Sequence, residues 1–230
     1  MTERTLIALL AGARETQAAA EWLAQTPASG VVIWAEGSER VDLDLPERDA
    51  VPGDAVGILD VTHAFDTRTR ERAVAAAPGA TYARISRDPW QAEAGDQWAE
   101  ADTIEEAVHA LPSGARVFAA TGRASLPALA RHDGPVFLRQ LNRHDQPTGY
   151  PNCTYVFGVA PFDPEGEAHL LTQLKIDVVL ARNIGGAGSF PKLAAARKLG
   201  LPVVLLRPPA VPVGAQLRNA ADVLAWVRSL

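Results

Sequence analysis

Short runs of consecutive apolar residues alternate along this chain with longer segments in which apolar residues recur every three or four positions. The continuous runs read as strands buried on both faces, and the periodic segments as helices that cover a sheet. Strands are predicted at 5–10, 31–34, 56–60, 82–85, 116–120, 136–138, 154–157, 177–181 and 203–206. Between them the spacing predicts a helix carrying Ala18, Ala19, Trp22 and Leu23, and one over 67–77 that stops at Pro78-Gly79. Further helices are predicted over 104–111 behind Asp102 or Thr103 as cap, through Leu126 and Leu129, and over 165–174, 192–199 and 220–227. Regular alternation of this kind predicts an α/β fold of two Rossmann-like domains with mainly parallel sheets, residues 1–114 and 115–230, divided at Pro112-Ser113-Gly114. Pro208-Pro209 and Pro212 predict a stiff, extended segment near the end.

Ligands of such sheets bind beyond the carboxyl ends of the strands, and four loops fall there. Ala11-Gly12-Ala13-Arg14-Glu15 sets a glycine turn before a helix start, where backbone N–H groups suit a phosphate. The full G-x-G-x-x-G pattern is missing, so a plain strand-to-helix turn is an equal reading. Asp60-Val61-Thr62-His63-Ala64-Phe65 brings three polar side chains to a strand end, with His63 able to donate a proton or hold a cofactor group. The alternative is that Asp60 and Thr62 cap the following helix. Thr121-Gly122-Arg123 pairs a close-approach glycine with hydroxyl and guanidinium donors, a natural anion site. The most specific stretch runs from Arg182-Asn183-Ile184-Gly185-Gly186 through Ser189 to Lys192, where three glycines precede a helix start. It is no Walker loop, because neither the spacing to Lys192 nor the residue after it fits.

Composition narrows the field. The chain has 230 residues, 47% hydrophobic and 21% charged, an ordinary globular balance for one large or two small domains. A formal charge of −5 argues against nucleic acid as a partner but leaves room for an anionic small molecule held in a local basic pocket. Cys153 is the only cysteine, so no disulfide or thiolate cluster can form within one chain. His109, His132, His144 and His169 lack metal-ligand spacing, and no metal is expected. Glu3 and Arg4 precede a short apolar run that ends in a glycine turn, unlike a signal peptide. No run approaches the ~20 apolar residues of a membrane span, so the expected location is cytoplasmic. Trp22, Trp34 and Trp226 fall on apolar periods and read as core.

Taken together, five motifs in register resemble the precorrin-6A reductase family. Leu9-Leu10-Ala11-Gly12-Ala13-Arg14-Glu15 is similar to its L-G-G-T-x-E opening, and Asp60-Val61-Thr62-His63-Ala64-Phe65 to D-A-T-H-P-F. Arg84-Ile85-Ser86-Arg87-Asp88-Pro89-Trp90 resembles R-x-x-R-P-x-W with one residue inserted. Thr121-Gly122-Arg123 matches T-G-R, and Asn183-Ile184-Gly185-Gly186 with Lys192-Leu193-Ala194-Ala195-Ala196-Arg197 resembles N-S-G-G followed by K-x-x-A-A-R. The resemblance implies NADPH and a tetrapyrrole in a cleft between two Rossmann-like domains, and reduction of a ring-D carbon–carbon double bond of precorrin-6A to give precorrin-6B in cobalamin biosynthesis. The conjugated macrocycle is then the electron acceptor, so no metal or flavin is called for. It implies His63 and Thr62 as catalytic, Gly12, Ala13, Thr62, Thr121, Gly122 and Arg123 as cofactor contacts, and Arg14, Asn183, Gly185, Gly186, Ser189 and Lys192 as substrate contacts. Two departures stand out: Ala13 lacks the hydroxyl of the family motif, and Glu36 beyond the second strand suits a free ribose hydroxyl better than a 2′-phosphate. A two-domain protein that binds a tetrapyrrole or nucleotide without turnover is the alternative.

Overall fold

A computed structural model describes residues 5–230, so Glu3 and Arg4 lie outside the described residues. The chain forms two compact units. The first runs through Arg87 and resumes at Pro209–Leu230, and the second is Asp88–Pro208.

The first unit holds strands β1 (Leu6–Ala11), β2 (Ser29–Trp34), β3 (Gly57–Val61) and β4 (Thr81–Ile85), with helices α1 (Thr16–Ala24) and α2 (Thr67–Ala76). Its sheet is parallel and ordered β11-β4-β3-β1-β2, where β11 is Ala215–Leu217. Strand β1 lies inside the sheet and is buried on both faces, which is why its sequence is continuously apolar. Ile7, Leu9 and Ala11 face one core with Ala19 and Leu23 of α1 and with Val223 and Trp226 of the last helix, α7 (Ala220–Arg228). Ala8 and Leu10 face the other core, against Ala73 of α2. The outer edge of β2 is covered by residues 46–48, which bond to Val32 through Pro46 O and Arg48 N.

The second unit holds β5 (Trp98–Ala101), α3 (Ile104–His109), β6 (Val117–Ala120), α4 (Leu126–Leu129), β7 (Val136–Gln140), β8 (Cys153–Phe157), α5 (Pro164–Gln173), β9 (Val178–Arg182), α6 (Pro191–Leu199) and β10 (Val203–Leu206). Its parallel sheet is ordered β5-β10-β9-β6-β7-β8. Phe118, Val179 and Leu205 pack with Leu171 of α5 and Leu193 and Ala196 of α6. Helices start where the chemistry allows: Asp163, Thr103 and Asn219 each accept an N–H of the first turn.

Both sheets are parallel, as the alternation predicts, but the expected boundary at Pro112-Ser113-Gly114 lies inside the second unit. Two short strands explain the difference. β5 joins β10, which puts residues 88–111 with the second sheet, and β11 joins β4, which returns the C-terminal residues to the first. The proline segment at 208–212 is where the chain passes back. Among the described residues no helix is long and apolar enough to cross a membrane.

Candidate functional site

Ligands of open parallel sheets sit beyond the carboxyl ends of the strands where the order of strand addition reverses, because the flanking loops turn away from each other there. In the first unit β2 is added on one side of β1, then β3 and β4 on the other, so the reversal lies between β1 and β3. In the second, β7 and β8 extend from one side of β6 while β9 and β10 extend from the other, so the reversal lies between β6 and β9. The four loops singled out in the sequence are the ones that follow these four strands.

At the first reversal, Gly12 donates its N–H to Thr16 Oγ1 at 3.1 Å, and Ala13 donates to Val61 O at 2.9 Å. Both donors expected to greet a phosphate are therefore engaged within the turn. A Cβ on Gly12 would meet Ala35 Cβ at 2.9 Å, so close packing against the chain beyond β2 is what demands glycine here. Arg14 is exposed beside them, and Glu15 holds Arg87 through a hydrogen bond of 2.7 Å to Nε.

Asp60 behaves differently from either sequence reading. It shares a face with Ile58, toward α2, and is fully buried. Its carboxylate accepts from Thr62 N (2.8 Å), Thr62 Oγ1 (2.7 Å), Arg70 Nε of α2 (2.8 Å) and Tyr82 Oη of β4. Burial pulls the Asp60 carboxyl upward, but the Arg84 charge and the bonds from Arg70, Tyr82 and Thr62 outweigh it and hold it below the usual carboxylate range. The cap of α2 is Asp66, which accepts from Thr69 N at 3.0 Å, so neither Asp60 nor Thr62 caps it. Thr62 is buried, while His63 next to it is exposed. The Phe65 N–H bonds to His63 Nδ1 at 3.2 Å, which assigns the proton of the neutral ring to Nε2.

At the second reversal, two turns repeat one backbone shape side by side. Gly122 has φ 81° and ψ 164°, Gly186 has φ 76° and ψ 159°, and each opens a 3₁₀ turn, Arg123–Ser125 and Ala187–Ser189. This conformation is essentially restricted to glycine. Thr121 is fully buried; Ser125 Oγ donates to Gly122 O at 2.6 Å, so in the 2.6 Å contact between the two hydroxyls Thr121 is the donor. Arg123 is exposed and bonds Gln146 at 2.8 Å.

Asn183 is buried, and its amide clamps the Trp90 backbone, accepting from Trp90 N at 2.8 Å and donating to Trp90 O at 3.0 Å. The Trp90 indole donates to Gly186 O at 3.0 Å and lies 5.6 Å from the Lys192 ammonium. Gly185 is buried and Ser189 half-buried, with the Ser189 carbonyl accepting from Lys192. Burial lowers the Lys192 pKa to about 8, with Glu167 pulling it up and Arg139 pushing it further down. Arg139 and Glu167 themselves form a buried pair at 2.7 Å.

One residue heading the fourth loop was not among the predicted ligand contacts. Arg182, at the end of β9, lies so near Gly122 that a Cβ there would be 3.4 Å from its guanidinium, and burial lowers its pKa. Its only signal was an arginine closing an otherwise apolar strand.

Two parallel sheets, each with a glycine-containing turn at its strand-order reversal, define a Rossmann-type α/β protein. Among known proteins, the family described as Precorrin-6x reductase CbiJ/CobK matches residues 53–228. The chain belongs to this family. It is 31% identical, over an alignment of 247 residues covering 98% of both chains, to precorrin-6A reductase of Rhodococcus erythropolis. It is 38% identical over 176 residues, 74% of this chain and 69% of the relative, to precorrin-6A reductase of Rhodobacter capsulatus. The solved structure of CobK precorrin-6A reductase matches with a TM-score of 0.81 and 32% identity, covering 98% of this chain and 96% of that one.

Proposed function

We propose that the chain is an NADPH-dependent reductase that removes a ring-D carbon–carbon double bond of precorrin-6A, giving precorrin-6B. The observation that carries this reading is the end-to-end likeness to a precorrin-6A reductase, 98% of each chain, combined with exposed arginines, Arg14 and Arg123, in the turns at the two sheet reversals.

The donor sets fit two anionic ligands. Arg123 and Lys192, with Arg182 beside Gly122, suit the carboxylates of a tetrapyrrole. Thr121-Gly122-Arg123, expected on the cofactor, share their crevice with the 183–190 loop expected on the substrate, and one ligand spanning both is the simpler reading. Arg14, expected on the substrate, stands instead at the β1 turn, where it suits the cofactor's phosphates in place of the engaged N–H groups of Gly12 and Ala13. NADPH, when bound, supplies the hydride. The protein's own contribution is to orient the ligands, neutralise their charge and offer a proton donor. His63 can be such a donor once its ring takes up a second proton on Nδ1, which displaces the Phe65 N–H, and buried Thr62, tied to Asp60, acts by fixing the loop that presents it.

The test is stoichiometric NADPH oxidation with precorrin-6A, accompanied by a blue shift of the tetrapyrrole spectrum as conjugation shortens. Tetrapyrrole binding without nicotinamide oxidation would sink the reductase reading in favour of a binding protein. Wild-type turnover in His63→Ala would remove His63 as proton donor.

A further inference from the structure

The first unit contains a cavity of about 570 Å³ that none of the four loops accounts for. Its position is set by three elements. Ile33 and Trp34 close β2, residues 49–51 follow the segment that covers the edge of β2, and one face of α2 supplies Arg68, Thr69 and Arg72. The volume falls within the range of sites for small organic ligands, roughly 300–1,000 Å³. Its walls divide by chemistry. The half-buried Trp34 ring turns to the opposite face of the sheet, toward the core shared with α1, and bonds Glu47 at 3.1 Å, so Ile33, Val51 and Ala73 form the apolar walls. Such walls suit a flat heteroaromatic ring.

The rim is charged. Arg68 and Arg72 stand four residues apart, so they share a helix face. Arg68 meets Glu36 at 3.3 Å, with both side chains more than three-quarters exposed. An ion pair that open is weakly held, so an incoming anion can take the guanidinium from Glu36 at small cost. Arg72 makes no ion pair among the described residues. Two further acids line the cavity: Asp66 is committed to capping α2, and Asp49 is exposed and suited to sugar hydroxyls. Glu36 by itself suits a free ribose hydroxyl, but Arg68 and Arg72 line the same cavity.

We infer that this cavity takes the adenosine end of the nicotinamide cofactor, with Arg72 and Arg68 gripping its 2′-phosphate and Ile33, Val51 and Ala73 lying against the adenine. The inference rests on the cofactor reading above and adds where that cofactor is recognised and why a phosphorylated ribose is preferred. Two guanidiniums match a phosphomonoester dianion, whereas an unphosphorylated ribose would leave Arg72 without a partner.

The probes are 2′,5′-ADP and 5′-ADP, which differ in the 2′-phosphate alone, titrated calorimetrically into the full chain. The wild type should bind 2′,5′-ADP at least tenfold more tightly. Arg72→Ala should weaken 2′,5′-ADP tenfold or more while leaving 5′-ADP within twofold, and Arg72→Lys should restore part of the difference. Both positions are exposed, and unchanged circular dichroism will show that the variants fold. Equal affinity of the two probes for the wild type, or unchanged 2′,5′-ADP affinity in both Arg72→Ala and Arg68→Ala, overturns the assignment. If NADPH oxidation with precorrin-6A survives in that case, only the location falls. If neither NADPH nor its fragments bind the wild type, the cofactor reading falls with it.

Discussion

Replacing Asp60 by asparagine keeps the shape of the side chain and removes the charge that balances Arg70 and Arg84. The two guanidiniums are buried, and Arg70 Nη1, Arg70 Nη2 and Arg84 Nε already lack hydrogen-bond partners among the described residues. An asparagine can still accept from Thr62, but its amide N–H₂ would face the donors of Arg70 and Tyr82. Breaking a buried pair by removing one partner costs about 3–5 kcal/mol, because the remaining charge is left uncompensated. With a urea slope near 2 kcal/mol/M, that loss lowers the unfolding midpoint by roughly 1.5–2.5 M. The depressed Asp60 pKa also fixes the sign of a pH effect. Stability from this group is present above the ordinary value of 3.8 and is lost as pH falls below it through the folded-state value. Asp60→Asn should therefore lose stability at neutral pH and flatten the acid limb of the stability profile. The measurement is urea unfolding of wild type and variant from neutral pH down through the acid limb below 3.8. A midpoint shift below about 0.5 M at neutral pH, under 1 kcal/mol at the same slope, would refute the view that one carboxylate holds this cluster together.

Three further outcomes are expected. Lys192 grips a carboxylate only as the ammonium; with its pKa lowered to about 8, tetrapyrrole affinity should fall as pH rises past that value. Lys192→Ala should remove this limb and weaken tetrapyrrole binding about ten- to a hundredfold, the equivalent of losing one charged hydrogen bond; equal affinities across pH in paired titrations would count against the contact. Asn183→Ala leaves the Trp90 N–H and C=O without their partner, at a cost of about 1–3 kcal/mol, and should lower the thermal midpoint and red-shift tryptophan emission. Gly122→Ala forces a side chain into a φ of 81°, a strain of order 1–3 kcal/mol, and should weaken tetrapyrrole binding through the displaced turn while NADPH affinity stays the same.

The fold was legible wherever burial is two-sided. β1 and β10 are uninterrupted apolar runs, and β3 is broken only by Asp60, because both faces are covered, and the structure places all three within a residue of the predicted positions. β5 and β11 were not legible for the opposite reason. Trp98–Ala101 and Ala215–Leu217 are sheet edges with one buried residue apiece, so they carry no apolar run to recognise. The same two strands moved the boundary away from Pro112-Ser113-Gly114. Among the candidate site residues, the loops were found because glycines at strand ends mark turns, but side-chain direction was not. Asp60 looked like an open polar group until strand parity put it beside Ile58, under α2. Asn183 looked like a ligand contact until its amide was found on the backbone of Trp90, a partner 93 positions away in the chain. Local spacing carries no information about such a distant partner.

The return of Pro209–Leu230 to the first unit has a consequence for how the protein is made. During synthesis the second unit, which is continuous, is complete as soon as its own residues have left the ribosome. The first unit has by then long been translated as far as Arg87, yet it lacks the strand beside β4 and the helix that brings Val223 and Trp226 to its core. Its apolar face must wait, uncovered, for residues 209–230. Any event that removes residues 209–230 would thus strike the unit built around residues 6–87, while Asp88–Pro208 keeps all of its strands.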